Sequence, residues 1–411
     1  MRLVRMCIVV GVVLAFAGRP VRAGGPLVYA DNGTIVKWAT TGGLTSVTLT
    51  LDQAEPRPGN PALGLLTKPE ADALVANVLG VWNGVTQSTV NMAISPTPLS
   101  DNITELNYQS VLLPPFPKGF NPVVYDWDGA IIDSLYGIGM RNQILGFASP
   151  IYYVDSGTNH PQPGNIIEGQ VVLNGRALDG IDAGASNPEV TPAEFESVIV
   201  HELGHMLGLD HSQINPLDPT NDDEPTMFPM FKGGTAMRSL APDDIAWISY
   251  FYPSSQYSAS FGSISGQILK LAGFNYPGFQ GINIIARRIG GARIDAISCV
   301  SGYLFRAGYG TESLRGIYLL PGMPPGDYTV EVEAIYSGFH GGSSVGPLDP
   351  PATFPGISGP EFYNGANESL NDNPTDQTPV SVVVGNPTSN INIILNTMRP
   401  PAGASHWSLY R

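Results

Sequence analysis

The chain has 411 residues, 43% of them hydrophobic and 13% charged, which supplies enough apolar material for a real core and excludes a disordered chain. Its 48 glycines and 37 prolines argue for many turns and short strands and against a helical bundle. A formal net charge of −15 excludes binding to nucleic acid or to an anionic membrane by charge alone.

Arg2 and Arg5 lead into an apolar run from Met6 to Gly18, and Val21-Arg22-Ala23 sets small residues around a cleavage point. Residues 1–23 therefore read as a signal peptide, whose apolar run is too short to span a bilayer. Cleavage there makes the mature chain more acidic and leaves Cys299 as its lone cysteine, so no intrachain disulfide can form. No later segment has the length of a transmembrane helix. The expected product is a secreted chain, extracellular or periplasmic, with no membrane span.

Residues 24–258 mix strand and helix patterns. Gly25 to Leu51 alternates apolar and polar residues, clearest in Thr45–Leu51, and predicts strands. Thr67, Pro69 and Glu70 form a capping-box start for a helix that runs to Trp82 through Leu74, Val75, Val78 and Leu79. Ser88–Ile94, Gln143–Val154 and Gly169–Leu173 predict further strands. Thr191, Pro192 and Glu194 open a second helix. A third starts at Pro242, with Asp243 and Asp244 in its first turn where acids suit the helix dipole, and ends near Tyr252-Pro253. Strands with three helices outside regular βαβ alternation indicate an α+β domain. Ser254–Ser263 reads as a linker. Beyond it, across 262–397, the short strand candidates Ile264–Leu271, Ile282–Arg287, Ile294–Val300, Gly316–Leu320, Tyr328–Ala334, Val380–Val384 and Ile391–Leu395 alternate with Gly/Pro turns in an all-β spacing. Gly338–Pro379 reads as a long loop, and 398–411 as an unstructured tail.

The run His201-Glu202-Leu203-Gly204-His205-Met206-Leu207-Gly208-Leu209-Asp210-His211 carries the chemistry. Residues four apart share a helix face, so His201 and His205 offer two imidazoles to one ion. Gly208 can take the left-handed conformation that ends the helix and returns His211 as a third ligand. Three nitrogens with an open fourth position suit catalytic zinc. Glu202, beside the first ligand, is placed to reach a water rather than the metal.

This motif resembles that of the metzincin peptidases. Pro225-Thr226-Met227-Phe228-Pro229 is similar to their Met turn, with Met227 as its methionine. Ser212 after the third histidine, the spacing to Met227 and the run Leu240–Ile245 narrow the resemblance to the matrixin branch. The resemblance implies a twisted mixed sheet with three helices, one catalytic zinc on His201, His205 and His211, Glu202 as general base, and protein or peptide substrates. It also implies a substrate-pairing strand upstream of the active-site helix, for which Gly169–Asn174 is the candidate. The chain departs from the pattern in three ways. Phe231 stands where many matrixins carry Tyr; no propeptide cysteine precedes the motif; and His160 alone upstream predicts no structural zinc.

Gly316–Val330, reading G-I-Y-L-L-P-G-M-P-P-G-D-Y-T-V, resembles the carboxypeptidase regulatory-like (transthyretin-like) β-sandwich, with no catalytic cluster of its own. That implies a spacer, or a module for a surface or matrix ligand. Asp126-Trp127-Asp128-Gly129 with Asp133 leaves two readings open, a calcium loop or, more simply, a solvated turn. For the whole chain the expectation is a secreted zinc endopeptidase. The alternative is a secreted adhesion or matrix-binding protein whose metal site is not catalytic.

Overall fold

The computed structural model describes residues 5–6, 25–30, 33–54, 61–153, 164–181, 189–215, 223–270, 278–302, 314–335 and 361–396. The signal-peptide run from residue 7 onward, His160, most of the loop 338–379 and the tail 398–411 lie outside them.

The first sheet collects β1 (Arg5–Met6), β2 (Lys37–Trp38), β3 (Thr45–Leu51), β4 (Val90–Ile94), β5 (Asn121–Asp126), β6 (Gly146–Tyr152) and β7 (Asn165–Asn174). Its order is β1-β6-β7-β5-β3-β4, with β2 on the start of β7. β3, β4, β5 and β7 pair in parallel, while β6 runs antiparallel to β7. The alternating burial of Thr45–Leu51 matches its two-residue side-chain period.

Two long helices cover one face. In α1 (Lys68–Asn83), the Glu70 carboxylate accepts from Thr67 N–H at 2.8 Å, and Ala71, Leu74, Val75, Val78, Leu79 and Trp82 are buried. In α4 (Pro192–Met206), Thr191 and Glu194 bond each other in the same box. Trp82 Nε1 donates to Val200 O at 3.0 Å and locks the two helices together. The short α2 (Gln109–Leu112) and α3 (Ala130–Tyr136) enclose a smaller apolar cluster with Phe147 and Val172 on the opposite face.

α5 (Pro242–Phe251) and α6 (Tyr257–Ser260) lead into two smaller sheets. One orders β10 (Ala296–Val300), β9 (Asn283–Arg288), β12 (Gly326–Glu333) and β13 (Glu361–Phe362), with β14 (Val380–Val382) on β12. The other orders β11 (Ile317–Met323), β8 (Gly262–Lys270) and β15 (Pro387–Thr388), with β16 (Ile393–Leu395) on β8. One apolar cluster runs from Leu49 and Trp82 through Trp247 and Phe251 to Ile264, Tyr318 and Val330. The segment expected to be a linker is thus flanked by packed structure on both sides.

Two expectations are corrected. Gly169–Asn174 is not an edge: β7 has β6 on one side and β5 on the other, so its main chain is already paired. Beyond β7 lies β6, which β1 pairs only at Ile151 and Tyr152, leaving the rest of its outer side, Gly146–Pro150, without a strand partner among the described residues. The Asp126–Asp133 stretch is less solvated than expected: a turn at Trp127–Gly129 joins the end of β5 to the start of α3, with Asp126 buried and Asp128 partly exposed.

Candidate metal centre

Helix α4 carries His201 and His205 on one face, and Gly208, at φ +93°, turns the chain just beyond it. A Cβ on Gly208 would sit 2.8 Å from Val36 O, so both the backbone angle and the close approach require glycine there. Leu209 N–H returns to Gly204 O at 3.0 Å and Asp210 N–H donates to Gly25 O at 2.9 Å, which directs His211 back toward the helix.

The three imidazoles converge. His211 Nε2 lies 3.2 Å from His201 Nε2 and 3.0 Å from His205 Nε2. Tetrahedral zinc with nitrogens at about 2.0–2.1 Å would space them about 3.3 Å apart. The outer nitrogens are committed elsewhere: His201 Nδ1–H donates to Thr226 O at 2.7 Å, and His205 Nδ1–H to Leu209 O at 2.9 Å. That fixes the tautomer with Nε2 unprotonated and facing inward. Enclosure pushes His201 down to about 4 and His205 well below the ordinary imidazole value. Neutral rings with bare nitrogens this close repel one another unless a cation lies between them, so the donor set fits a metal. Among the described residues, this triad is the group of His, Cys, Asp or Glu side chains close enough to hold one.

Glu202 is buried beside the triad. Ala148 N–H of β6 donates to its carboxylate, while Oε2 has no partner. Burial raises its pKa to about 8. Gly146 leaves room for it, since a Cβ there would lie 3.2 Å from Glu202 Cγ.

Met227 lies directly beneath. A Cβ on Gly204, between the two helical histidines, would overlap Met227 Sδ and lie 3.0 Å from Trp82 Cζ2. The turn is held from below by buried Asp244, whose carboxylate accepts from Thr226 N–H at 3.0 Å, Met227 N–H at 3.1 Å and Ala241 N–H at 2.8 Å. Because Thr226 also bonds His201, Asp244 reaches the first histidine through one peptide.

Residues 162–253 match the family model described as Matrixin. The matched segment holds the triad, Glu202, Met227 and α5, and it is matrixin-like. Metalloendoproteinase 5-MMP of Arabidopsis thaliana is 38% identical over 76 residues, 18% of this chain and 19% of that protein. Metalloendoproteinase 2-MMP of the same plant is 39% identical over 59 residues, 14% of each chain. The chain thus aligns with less than a fifth of the length of these curated relatives. The crystal structure of wild-type OgpA from Akkermansia muciniphila aligns over 72% of this chain and 89% of its own, at 11% identity and a TM-score of 0.22, too low to bear on the fold.

The calcium reading finds no support. Asp126 accepts from Ile131 and Ile132 N–H, at 3.0 and 2.9 Å. Asp128 accepts from Ala130 N–H at 3.1 Å. Asp133 accepts from Gly139 N–H and pairs with Arg141 Nε at 2.7 Å. The positive charge in this loop is Arg141; Asp126 and Asp128 accept from the first amides of α3, and Asp133, within that helix, holds Arg141.

Sequence reasoning missed one group near the matrixin-like centre. The phenol of Tyr136 is buried without a partner, its ring packs edge-on against Phe147 at 5.3 Å, and burial together with the Glu202 charge raises its pKa. Phe231 offers no phenol, whereas Tyr136 brings one from another element. Nothing in its local sequence could have signalled this, because the contact is made across the sheet.

Proposed function

We propose that the chain is a secreted, zinc-dependent endopeptidase that hydrolyses peptide bonds of extracellular proteins, with Glu202 as general base. One observation carries this reading: the inward nitrogen of His211 lies within 3.2 Å of those of His201 and His205, beside a buried carboxylate that has one unpartnered oxygen. A non-catalytic metal site has no use for that oxygen. His201, His205 and His211 would hold the ion, which when bound supplies a Lewis acid that polarises a carbonyl and acidifies a water.

Glu202 does the proton work. Its free Oε2 accepts a proton from the attacking water and returns it to the leaving nitrogen, while Ala148 N–H holds the other side of the carboxylate. Thr226 O and Leu209 O orient the rings of His201 and His205. β6, which reaches Glu202 through Ala148, is the strand an extended peptide would pair with.

In this reading residues 1–23 direct export, 24–258 form the peptidase part and 262–397 an accessory β-rich part. Among the described residues no helix is long and apolar enough to cross a membrane. The test is cleavage of casein and a peptide library by the purified chain, before and after a zinc chelator and again with zinc restored. Cleavage that stops with the chelator and returns with zinc supports the reading; cleavage indifferent to the chelator overturns it.

A further inference from the structure

The positions of His201 and His205 are set by α4, but His211 lies on a stretch without regular secondary structure. What fixes it downstream comes largely from the C-terminal sheets. Each of the four residues that follow His211 is anchored there. Ser212 Oγ meets Ser298 Oγ of β10 at 3.2 Å. Gln213 Nε2 donates to Glu333 Oε1 of β12 at 2.8 Å and to Ala334 O at 3.1 Å, while Gln213 O accepts from Asn283 Nδ2 of β9 at 2.7 Å. Ile214 is fully buried in a cluster with Ile285 and Ala296. Asn215 Oδ1 accepts from Arg287 Nη1 at 2.8 Å.

The same sheets also grip α5. Ser298 N–H donates to Asp243 Oδ1 at 2.7 Å, and Trp247 Nε1 donates to Ser298 O at 2.9 Å. Asp244, next in that helix, holds the Met turn. On the other side, Ser212 N–H ties the stretch to that turn through Met227 O at 2.8 Å, and Asn215 Nδ2 donates to Asp223 O at 2.8 Å.

We propose that β9, β10 and β12 act as a clamp that positions the third histidine, so that the metal affinity of the triad is set in part from the C-terminal sheets. The proposal rests on the reading of the triad as a metal site. An unclamped segment populates orientations in which His211 Nε2 points away, and apparent affinity falls in proportion to the competent fraction. Residues that orient metal ligands typically change affinity about 10–100-fold when removed.

The test uses the full chain with Asn283→Ala and Ser298→Ala combined, and Tyr318→Phe as the control. Tyr318 Oη donates to Ile391 O at 2.6 Å inside the sheets, away from 212–215. Zinc affinity is read by competition with a chromophoric chelator, and stability by urea unfolding of the metal-free chain. The double variant should bind zinc at least about tenfold more weakly. Tyr318→Phe should keep wild-type affinity despite a lower unfolding midpoint. Should the double variant aggregate, Asn283→Ala alone should still weaken zinc binding by about threefold or more. A folded variant with affinity within twofold of wild type overturns the clamp. So does an equal loss in Tyr318→Phe, because the sheets would then act only through global stability. A wild-type chain that binds no zinc strikes the metal reading itself; a zinc-binding wild type with unmoved variants strikes only the clamp.

Discussion

Gly204→Ala puts the packing beneath the metal centre to a direct test. Alanine in the middle of a helix is ordinarily better than glycine by about 1 kcal/mol. Here the added methyl enters occupied space, overlapping Met227 Sδ and lying 3.2 Å from Met227 Cε and 3.0 Å from Trp82 Cζ2. Trp82 does not yield easily, and the Met227 thioether, though flexible, has to move within a buried site. Trp82 is held by Val200 O, and the Met227 main chain is pinned at its N–H by Asp244 and at its carbonyl by Ser212. Overpacking of this kind costs typically about 1–3 kcal/mol, so clash less helix gain leaves a net loss of up to about 2 kcal/mol, about 1 kcal/mol at the middle of the range. With a urea dependence of about 3 kcal/mol per molar, the metal-free midpoint should fall by about 0.3 M. In a Met227→Ala background the same change should be neutral or stabilising, because the thioether that blocks it has gone. A Gly204→Ala chain as stable as wild type, or the same loss in both backgrounds, would refute the reasoning.

Arg141→Ala should cost about 1–3 kcal/mol in urea unfolding, because Asp133, with a side chain 12% exposed, loses its charge partner. Millimolar calcium should leave the melting temperature of the wild-type chain where it was, and a rise above about 3 °C would restore the calcium reading. For Asp243→Asn the sign follows from its position: burial first, then Asp244, raises its pKa from 3.8 to about 7. A raised acid stabilises the fold below its unfolded pKa and loses that contribution as pH climbs through the folded value. The metal-free variant should therefore gain on wild type between pH 4 and pH 8, by at most about 4 kcal/mol for three units. A stability difference that does not vary with pH would contradict it.

What was legible in the sequence was local. Thr67 with Glu70, and Thr191 with Glu194, announce α1 and α4 because a capping box needs residues only three apart. The histidine triad was legible because one helix and one glycine turn place it. β5 escaped notice: Asn121–Asp126 has a short apolar centre at Val123–Tyr125, and the acids that follow read as a calcium loop or a solvated turn. Their partners, Arg141 and the amides of α3, lie beyond the reach of a motif. The identity of the outer strand was equally hidden, because periodicity within Gly169–Asn174 says nothing about which strands flank it. Ser212 shows the same limit. Its place after the third histidine looked family-like, yet it also meets Ser298 in β10.

The central claim is that Glu202 acts as the base beside a metal held by three histidines, and Glu202→Gln tests it most directly. The change keeps the volume of a side chain packed against Gly146 and removes its ability to take a proton. Zinc content and casein hydrolysis are measured on the same preparation of each protein. The account predicts one zinc per chain in both, with hydrolysis by the variant reduced about 10²- to 10⁴-fold. A variant that keeps its zinc and its full activity, or a zinc-loaded wild type that cleaves nothing, would contradict it.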